Sequence, residues 1–394
     1  MKIDKLQLSN FKNYEFCSFQ FNSKLNFIFG DNGNGKTNIL EAISMLCYTR
    51  SFLQTSDDDC IKYGFDEFDI KGEFINAINS RYNVEYKFGK DFYRKKILLD
   101  DENISGLSLF FGRIPLVVLS PGDIKITLGS PADRRRNFDI LISQISRVYY
   151  DDLKNLNRLL KQKNSLLREH HFSRKYSATE IKDLLDGWNK ELIDTGIKII
   201  IRRLNFVKEF QNYMTSNFKN ILGDTYKPCI SYESELLEDG ISESINESFL
   251  REKFERAVEM KSELELKRGI SLVGPQRDDY LFRMEKQNNT FELKTFASQG
   301  EHKTFIVALK LSEYVYLRDK LEIEITGEPL LLLDDLFSEL DRNRTQKISW
   351  ILTDYNQVFL TTTEVGYLQE LKKIFGRDNV TSFNIINGTA KAIQ

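Results

Sequence analysis

Apolar and polar positions alternate with period two over residues 3–8 and 15–21, so the chain opens with two short strands around the polar turn Asn10-Phe11-Lys12-Asn13-Tyr14. The alternation returns at 24–29 (KLNFIF), and over 39–46 it gives way to a helical period. Residues 68–74, 82–88 and 93–99 read as antiparallel strands with Gly, Asn and Asp at their turns, a β-rich half-domain. At 114–119 the run IPLVVL is apolar without interruption, the pattern of a buried strand, and Ser120-Pro121-Gly122-Asp123 stops it.

From Ser130 to about Lys267 the pattern is mostly helical. Ser130-Pro131-Ala132-Asp133 is a helix start, with Ser as cap, Pro as first residue and Asp as an acceptor in the first turn. Phe138, Leu141, Ile142 and Ile145 follow at helical spacing. Ile181, Leu184, Leu185, Trp188 and Leu192 share one face of a second helix, and 249–267 reads as a third. No heptad persists long enough for a projecting coiled coil. Residues 233–248, acidic and Ser-rich, read as an exposed connection.

Short strands return over 271–296, a helix over 304–320 buries Phe305, Leu309 and Leu317, and Leu330-Leu331-Leu332-Leu333 is a fully buried strand running into Asp334-Asp335. Residues 358–363 form a further strand. The expected fold is α/β and discontinuous: residues 1–119 plus 271–394 make one domain around the helix at 39–46, and 120–270 make an inserted, mainly helical lobe.

Composition changes this picture little. With 394 residues, 41% hydrophobic and 12% aromatic, the chain can fill more than one core and is not disordered. Lys plus Arg number 56 against 58 acidic residues, net −2, so any nucleic-acid surface must be a local patch. Cys17, Cys47, Cys60 and Cys229 are far apart and form no CxxC, which fits a reducing compartment. No apolar run approaches a membrane span and the start is polar, so the expectation is a cytoplasmic protein without a membrane partner.

The chemistry centres on GDNGNGKT at 30–37, between a strand pattern and a helix pattern. Gly30, Asp31, Asn32, Gly33, Asn34 and Gly35 form a loop whose backbone N–H groups can turn onto phosphate oxygens. Lys36 supplies a point charge, Thr37 a hydroxyl ligand for Mg²⁺, and the following helix, beginning near Asn38, points its positive end at the phosphates. The spacing therefore predicts nucleotide binding. Asp334 and Asp335 stand at the C-terminal end of a buried strand, where open α/β sheets present catalytic groups. Asp334 would hold Mg²⁺, directly or through water, and Asp335 would polarise the attacking water. Ser298-Gln299-Gly300-Glu301 has the spacing of a capping box, which needs no function, but Gly300 within it would let a phosphate approach the helix start closely. Arg134, Arg135 and Arg136 occupy the first turn of a helix, where cations oppose the macrodipole. An anionic partner such as DNA would offset that, and a salt bridge to a nearby carboxylate would do so equally.

NFKNY at 10–14, GDNGNGKTN at 30–38, LGSPADRRR at 128–136, GPQRDD at 274–279, SQGE at 298–301 and LLLDDLFSELD at 331–341 together resemble the RecF family of bacterial DNA replication and repair proteins, over nearly the whole chain. The family is similar to the ABC-type ATPase heads of Rad50 and SMC proteins. The resemblance implies an ATP-dependent homodimer in which Ser298, Gln299, Gly300 and Glu301 of one subunit meet the ATP and Mg²⁺ held by the other. It also implies that Ser338 and Asp341 form the D-loop across that interface, and that Lys12 and Asn13 lie near the nucleotide. It further implies weak, DNA-stimulated ATP hydrolysis, binding to double-stranded, gapped or junction DNA, and work with RecO and RecR in loading RecA during the response to DNA damage.

Three positions depart from the family pattern: an acidic residue is expected at Gly122, His at Gln276, and Arg or Lys near Leu53. The switch His of transporter ATPases is also not visible, and Thr361-Thr362-Thr363 ends the corresponding strand. The alternatives are an ATP-gated scaffold related to SMC proteins, a transporter ATPase subunit, which would carry a clearer LSGGQ-like signature, and an overcoming-lysogenization-type nuclease, which needs a further domain after Asp341.

Overall fold

The computed structural model describes residues 1–90, 94–104, 106–173, 176–237, 246–286, 289–338 and 340–393. The chain divides into two units. One comprises Met1–Thr127, Tyr213–Lys227 and Ala297–Gln394; the other comprises Leu128–Asn212 and Pro228–Phe296.

Two sheets build the first unit. In the antiparallel one, Tyr14–Gln20, Lys2–Phe11, Glu67–Ile75, Arg81–Gly89, Arg94–Leu99 and Glu102–Asn103 lie side by side in that order. The other runs Thr389–Ile393, Val380–Ile386, Leu25–Phe29, Gln357–Thr362, Leu330–Leu333, Leu116–Leu119, all parallel except the first pair. The helix Lys36–Tyr48 contacts strands of both sheets. Being covered on two sides, it is apolar nearly all round: Ile39, Leu40, Ala42, Ile43, Met45 and Leu46 are fully buried.

Register fixes what matters for chemistry. Val358 pairs with Leu25 and Leu331 with Val358, so the strands Leu25–Phe29 and Leu330–Leu333 end at the same edge, with Gln357–Thr362 between them. The loop at Gly30 and the carboxylate of Asp334 therefore stand astride the strand that carries Thr361.

The second unit holds Pro131–Ile145, Arg147–Ser173, most of Ala178–Leu222, Glu247–Arg268 and a three-stranded sheet of Asn289–Glu292, Asp279–Lys286 and Lys227–Glu233. This corrects the expected boundaries at 120 and 270. Residues 271–296 pair or pack within the second unit, and Tyr213–Lys227 belong to the first. The 45-residue helix Ala178–Leu222 exceeds the face read at 181–192, because Gly196 and the isoleucines after it look unlike helix. Gly196 marks a close crossing: a Cβ there would lie 2.6 Å from the Phe254 ring. Leu184, expected on the buried face, is 44% exposed. The connection expected at 233–248 falls partly on 238–245, outside the described residues, and Leu236 within it is buried.

Candidate nucleotide site

The loop at 30–37 is held by its flanks. Gly30, Gly33 and Gly35 take φ of +150°, +81° and +105°, and Gly35 caps the helix in the left-handed region. A side chain on Gly35 would collide with Asn13, and one on Gly30 with the Ile385 carbonyl. Asn13 reaches the loop directly, donating Nδ2 to the Asn34 carbonyl at 2.7 Å and accepting from Asn38 Nδ2 at 2.8 Å. Tyr14 donates its hydroxyl to the Gly35 carbonyl at 2.9 Å. From the other end of the chain, the Ile385 carbonyl accepts from Asn34 Nδ2 at 3.1 Å, and Gly388 N donates to the Asn34 carbonyl at 3.3 Å. Asp31, Asn32 and Gly33 stay exposed.

Lys36 is buried, its Nζ donating to the carbonyls of Gly30 and Asp31 at 2.8 and 2.9 Å. Burial lowers its pKa from the usual lysine value, opposed by the charges of Asp334, Asp335 and Asp31. Thr37 Oγ1 lies within hydrogen-bond distance of both Asp334 carboxylate oxygens, and Thr361 Oγ1 donates to Oδ1 at 2.5 Å. Burial raises the Asp334 pKa against the pull of the hydrogen bonds from Thr361 and Thr37. A hydroxyl facing a carboxylate is a hard-oxygen pair suited to Mg²⁺, so Thr37 and Asp334 fit that ion. Asp335 is half-buried with φ +51°, and its N–H donates to Thr361 Oγ1 at 3.0 Å.

Lys12 pairs with the helix Lys36–Tyr48. Its Nζ lies 3.6 Å from Oε2 of the fully buried Glu41, whose Oε1 accepts from Ser51 Oγ at 2.6 Å. Lys12 is thus tied to the helix that follows the loop, while Asn13 touches the loop itself.

Ser298-Gln299-Gly300-Glu301 form a second constellation in the same unit. Ser298 caps the helix Gln299–Lys320 in a full capping box with Glu301, and Ser298 and Gln299 are exposed. Asp341 caps the helix Arg342–Ile351. Arg344 joins the two starts: Nη1 donates to the Gly300 carbonyl at 3.3 Å and to Thr304 Oγ1 at 3.0 Å, and Nε pairs with Asp341 at 3.1 Å. Ser338 Oγ donates back to the Asp335 carbonyl at 2.9 Å; Glu339 lies outside the described residues. Sequence reasoning missed Arg344, Tyr14 and Glu41, although Tyr14 lies within the turn it read and Thr361 within the threonine run it noted.

Arg134 and Arg135 are engaged in the second unit. Arg134 is buried and donates from Nε and Nη2 to Asp279 at 2.7 and 2.8 Å, and Arg135 donates to the Asp278 carbonyl. The motifs LGSPADRRR and GPQRDD therefore clasp one another, which is the salt-bridge alternative for Arg134. Of the departures, Gln276 folds onto its own loop, donating to the Val273 carbonyl at 2.7 Å, and Asp123 supplies a carboxylate one position after Gly122, accepting from Ser120 N. Leu53 is 43% exposed.

A family model described as AAA domain matches residues 5–374. The DNA replication and repair protein RecF of Chloroherpeton thalassium is 37% identical over 379 residues, 95% of this chain and 98% of that one. The protein of the same name from Staphylococcus carnosus is 31% identical over 95% of this chain and 96% of its own length. Among solved structures, the recombination mediator protein RecF-ATPrS of the RecFOR pathway superposes with a TM-score of 0.84 at 28% identity, covering 100% of this chain and 98% of that one. An Smc head domain from Pyrococcus furiosus matches at 0.55 and 15% identity over 99% of this chain and 95% of its own, which speaks to fold. The fold is that of an ABC-type P-loop ATPase head, and the chain belongs to the RecF family of DNA replication and repair proteins.

Proposed function

We propose that this protein is an ATP-dependent DNA-binding clamp of recombinational repair and replication, in which two copies close on two ATP molecules. The observation that carries the reading is the meeting of Lys36, Thr37, Asp334 and Thr361 at one sheet edge, from segments about 300 residues apart in the chain. Lys36 and the loop N–H groups bind the β- and γ-phosphates, with Gly30, Asp31, Asn32, Gly33, Asn34 and Gly35 wrapping them. Thr37 and Asp334 would hold Mg²⁺, whose charge neutralises the phosphate oxygens. Asp335 orients the water that attacks the γ-phosphorus and accepts its proton as the bond to the ADP oxygen breaks. Lys12 and Asn13 lie near the nucleotide, Asn13 fixing the loop and Lys12 pairing with Glu41 of the helix that follows it.

Ser298, Gln299, Gly300 and Glu301 of one copy would cover the γ-phosphate bound by the other, with Ser338 and Asp341 beside them. The exposure of Ser298 and Gln299, and the hydrogen bonds of Arg344 to both helix starts, support a surface prepared for that contact. The same reading makes hydrolysis slow, DNA-stimulated and a timer for release. It assigns gapped, junction or double-stranded DNA, RecR and RecO as partners in loading RecA in the cytoplasm. No helix of the described residues is long and apolar enough to cross a membrane.

The test is solution mass by light scattering with the Asp335→Asn variant, with and without ATP and Mg²⁺. A monomer that becomes a dimer only with ATP is expected; no change in mass despite measured ATP binding would overturn the two-copy mechanism.

A further inference from the structure

A second buried cation stands beside the carboxylate pair. Lys303, in the second turn of the helix Gln299–Lys320, is 7% exposed, and its Nζ lies 3.4 Å from both the Asp335 carbonyl and Ser338 Oγ. Burying an ammonium costs solvation, and the positive end of a helix repels it. Both of these acceptors are neutral, so they do not offset that cost as a carboxylate would. What they do is fix a backbone. Asp335 has φ +51°, in the left-handed region that Asp visits more readily than most residues but that still costs free energy, which its hydrogen-bonded neighbours here offset. The N–H of Asp335 is held by Thr361, and its carbonyl by Lys303 and Ser338. The first hold comes from the strand Gln357–Thr362, the second from the helix that begins at the Ser298 cap.

We propose that Lys303 is a positioning residue for hydrolysis: it sets the direction of the Asp335 carboxylate and makes that direction depend on the helix starting at Ser298. This rests on the reading of Asp335 as the group that orients the attacking water. A phosphate engaging Ser298 and Gly300 presses on the helix start. Lys303, five residues along and about 7.5 Å further down the axis, carries that displacement to the Asp335 peptide. One subunit's signature would thereby tune its own hydrolytic centre as well as complete its partner's.

The experiment is single-turnover ATP hydrolysis with Mg²⁺, alongside calorimetric ATP affinity, on the full chain and on Lys303→Met, Lys303→Arg, Asp335→Asn and the double variant Lys303→Met/Asp335→Asn. Lys303→Met is expected to bind ATP with unchanged affinity and to hydrolyse it about 10- to 100-fold more slowly. Lys303→Arg should recover most of the rate, and the double variant should be no slower than Asp335→Asn alone. A rate equal to wild type in Lys303→Met, or a further loss in the double variant, overturns the positioning role while leaving Asp335 its own. Full hydrolysis by Asp335→Asn removes the base assignment, and the proposal with it. If Lys303→Met fails to fold, Ser338→Ala removes the bridging hydroxyl; it should slow hydrolysis at unchanged affinity, and an unchanged rate would overturn the proposal.

Discussion

Thr37 Oγ1 lies 2.9 and 3.0 Å from the two carboxylate oxygens of Asp334, although 297 positions separate the residues. A hydroxyl carries one proton and can donate to only one of those oxygens at a time. The near-equal distances describe a hydroxyl set squarely on the carboxylate, where both groups can face one hard cation. The rest of the site is arranged around that pair.

Lys36→Met should nearly abolish ATP binding. On the proposed reading the ammonium turns from the Gly30 and Asp31 carbonyls to phosphate, and losing two charged hydrogen bonds there would cost about 3–6 kcal/mol, two to four orders of magnitude in affinity. Calorimetric titration with ATP and Mg²⁺ checks this, and wild-type affinity would remove Lys36 from the site.

Asp335→Asn should bind ATP and accumulate as a closed dimer, its hydrolysis reduced by about 10²–10⁴-fold, the usual share of a general base. Phosphate release in steady state measures the rate, and light scattering the mass.

Ser298→Arg should bind ATP as a monomer. The cap is exposed, so a long cation there projects outward without disturbing the loop at 30–37. Normal ATP-dependent dimerisation of this variant would show that Ser298 is a helix cap and nothing more.

Arg134→Ala should destabilise the second unit by about 3 kcal/mol, because Asp279 would keep its charge without the bidentate guanidinium. Chemical denaturation reads the loss. At native stability the salt dependence of DNA affinity should keep its slope; a slope shallower by about one would mean that Arg134 does meet a phosphate.

Asp278 gives the second unit a pH signature. It is 3% exposed and accepts from the Tyr232 hydroxyl, and burial pushes its pKa up to about 6. Between about pH 4 and pH 6 the folded chain holds a proton that the unfolded chain has released, so this group's contribution to stability declines as pH rises through that window. Asp278→Asn should therefore gain on wild type between about pH 4 and pH 7. Denaturation midpoints at the two ends of the range check the sign.

Much of the site was legible because its residue types have few other uses in those patterns. Glycines before Lys36 and Thr37, and four leucines ending in two aspartates, each specify a strand ending at the sheet edge where Thr37 and Asp334 meet. The capping box at Ser298 could also be read locally, since a cap is made by residues three apart. What stayed hidden acts across the chain. Arg344 is an ordinary first-turn arginine until Gly300 is placed beside it, and Lys303 is one of many lysines until the Asp335 carbonyl is found at its tip. The unit boundaries were misplaced for a related reason. The strands at 279–286 and 289–292 look like those of the first unit, and only pairing assigns them elsewhere.

The strand Leu25–Phe29, which feeds the phosphate loop, is paired on one side with Gln357–Thr362 and on the other with Val380–Ile386. A ribosome makes that strand early and must add more than 300 residues before either neighbour exists. At about 5–20 residues per second, the segment waits tens of seconds with both edges unpaired. Its apolar run is then a hazard for adhesion to other nascent chains, which chaperones would have to cover. Ile385 and Gly388, which grip Asn34, arrive later still. The conformation of the loop at Asn34 is thus completed only after more than 300 further residues have been made, so folding of this edge of the sheet is post-translational in character even though its first strand is among the first elements of the unit to appear.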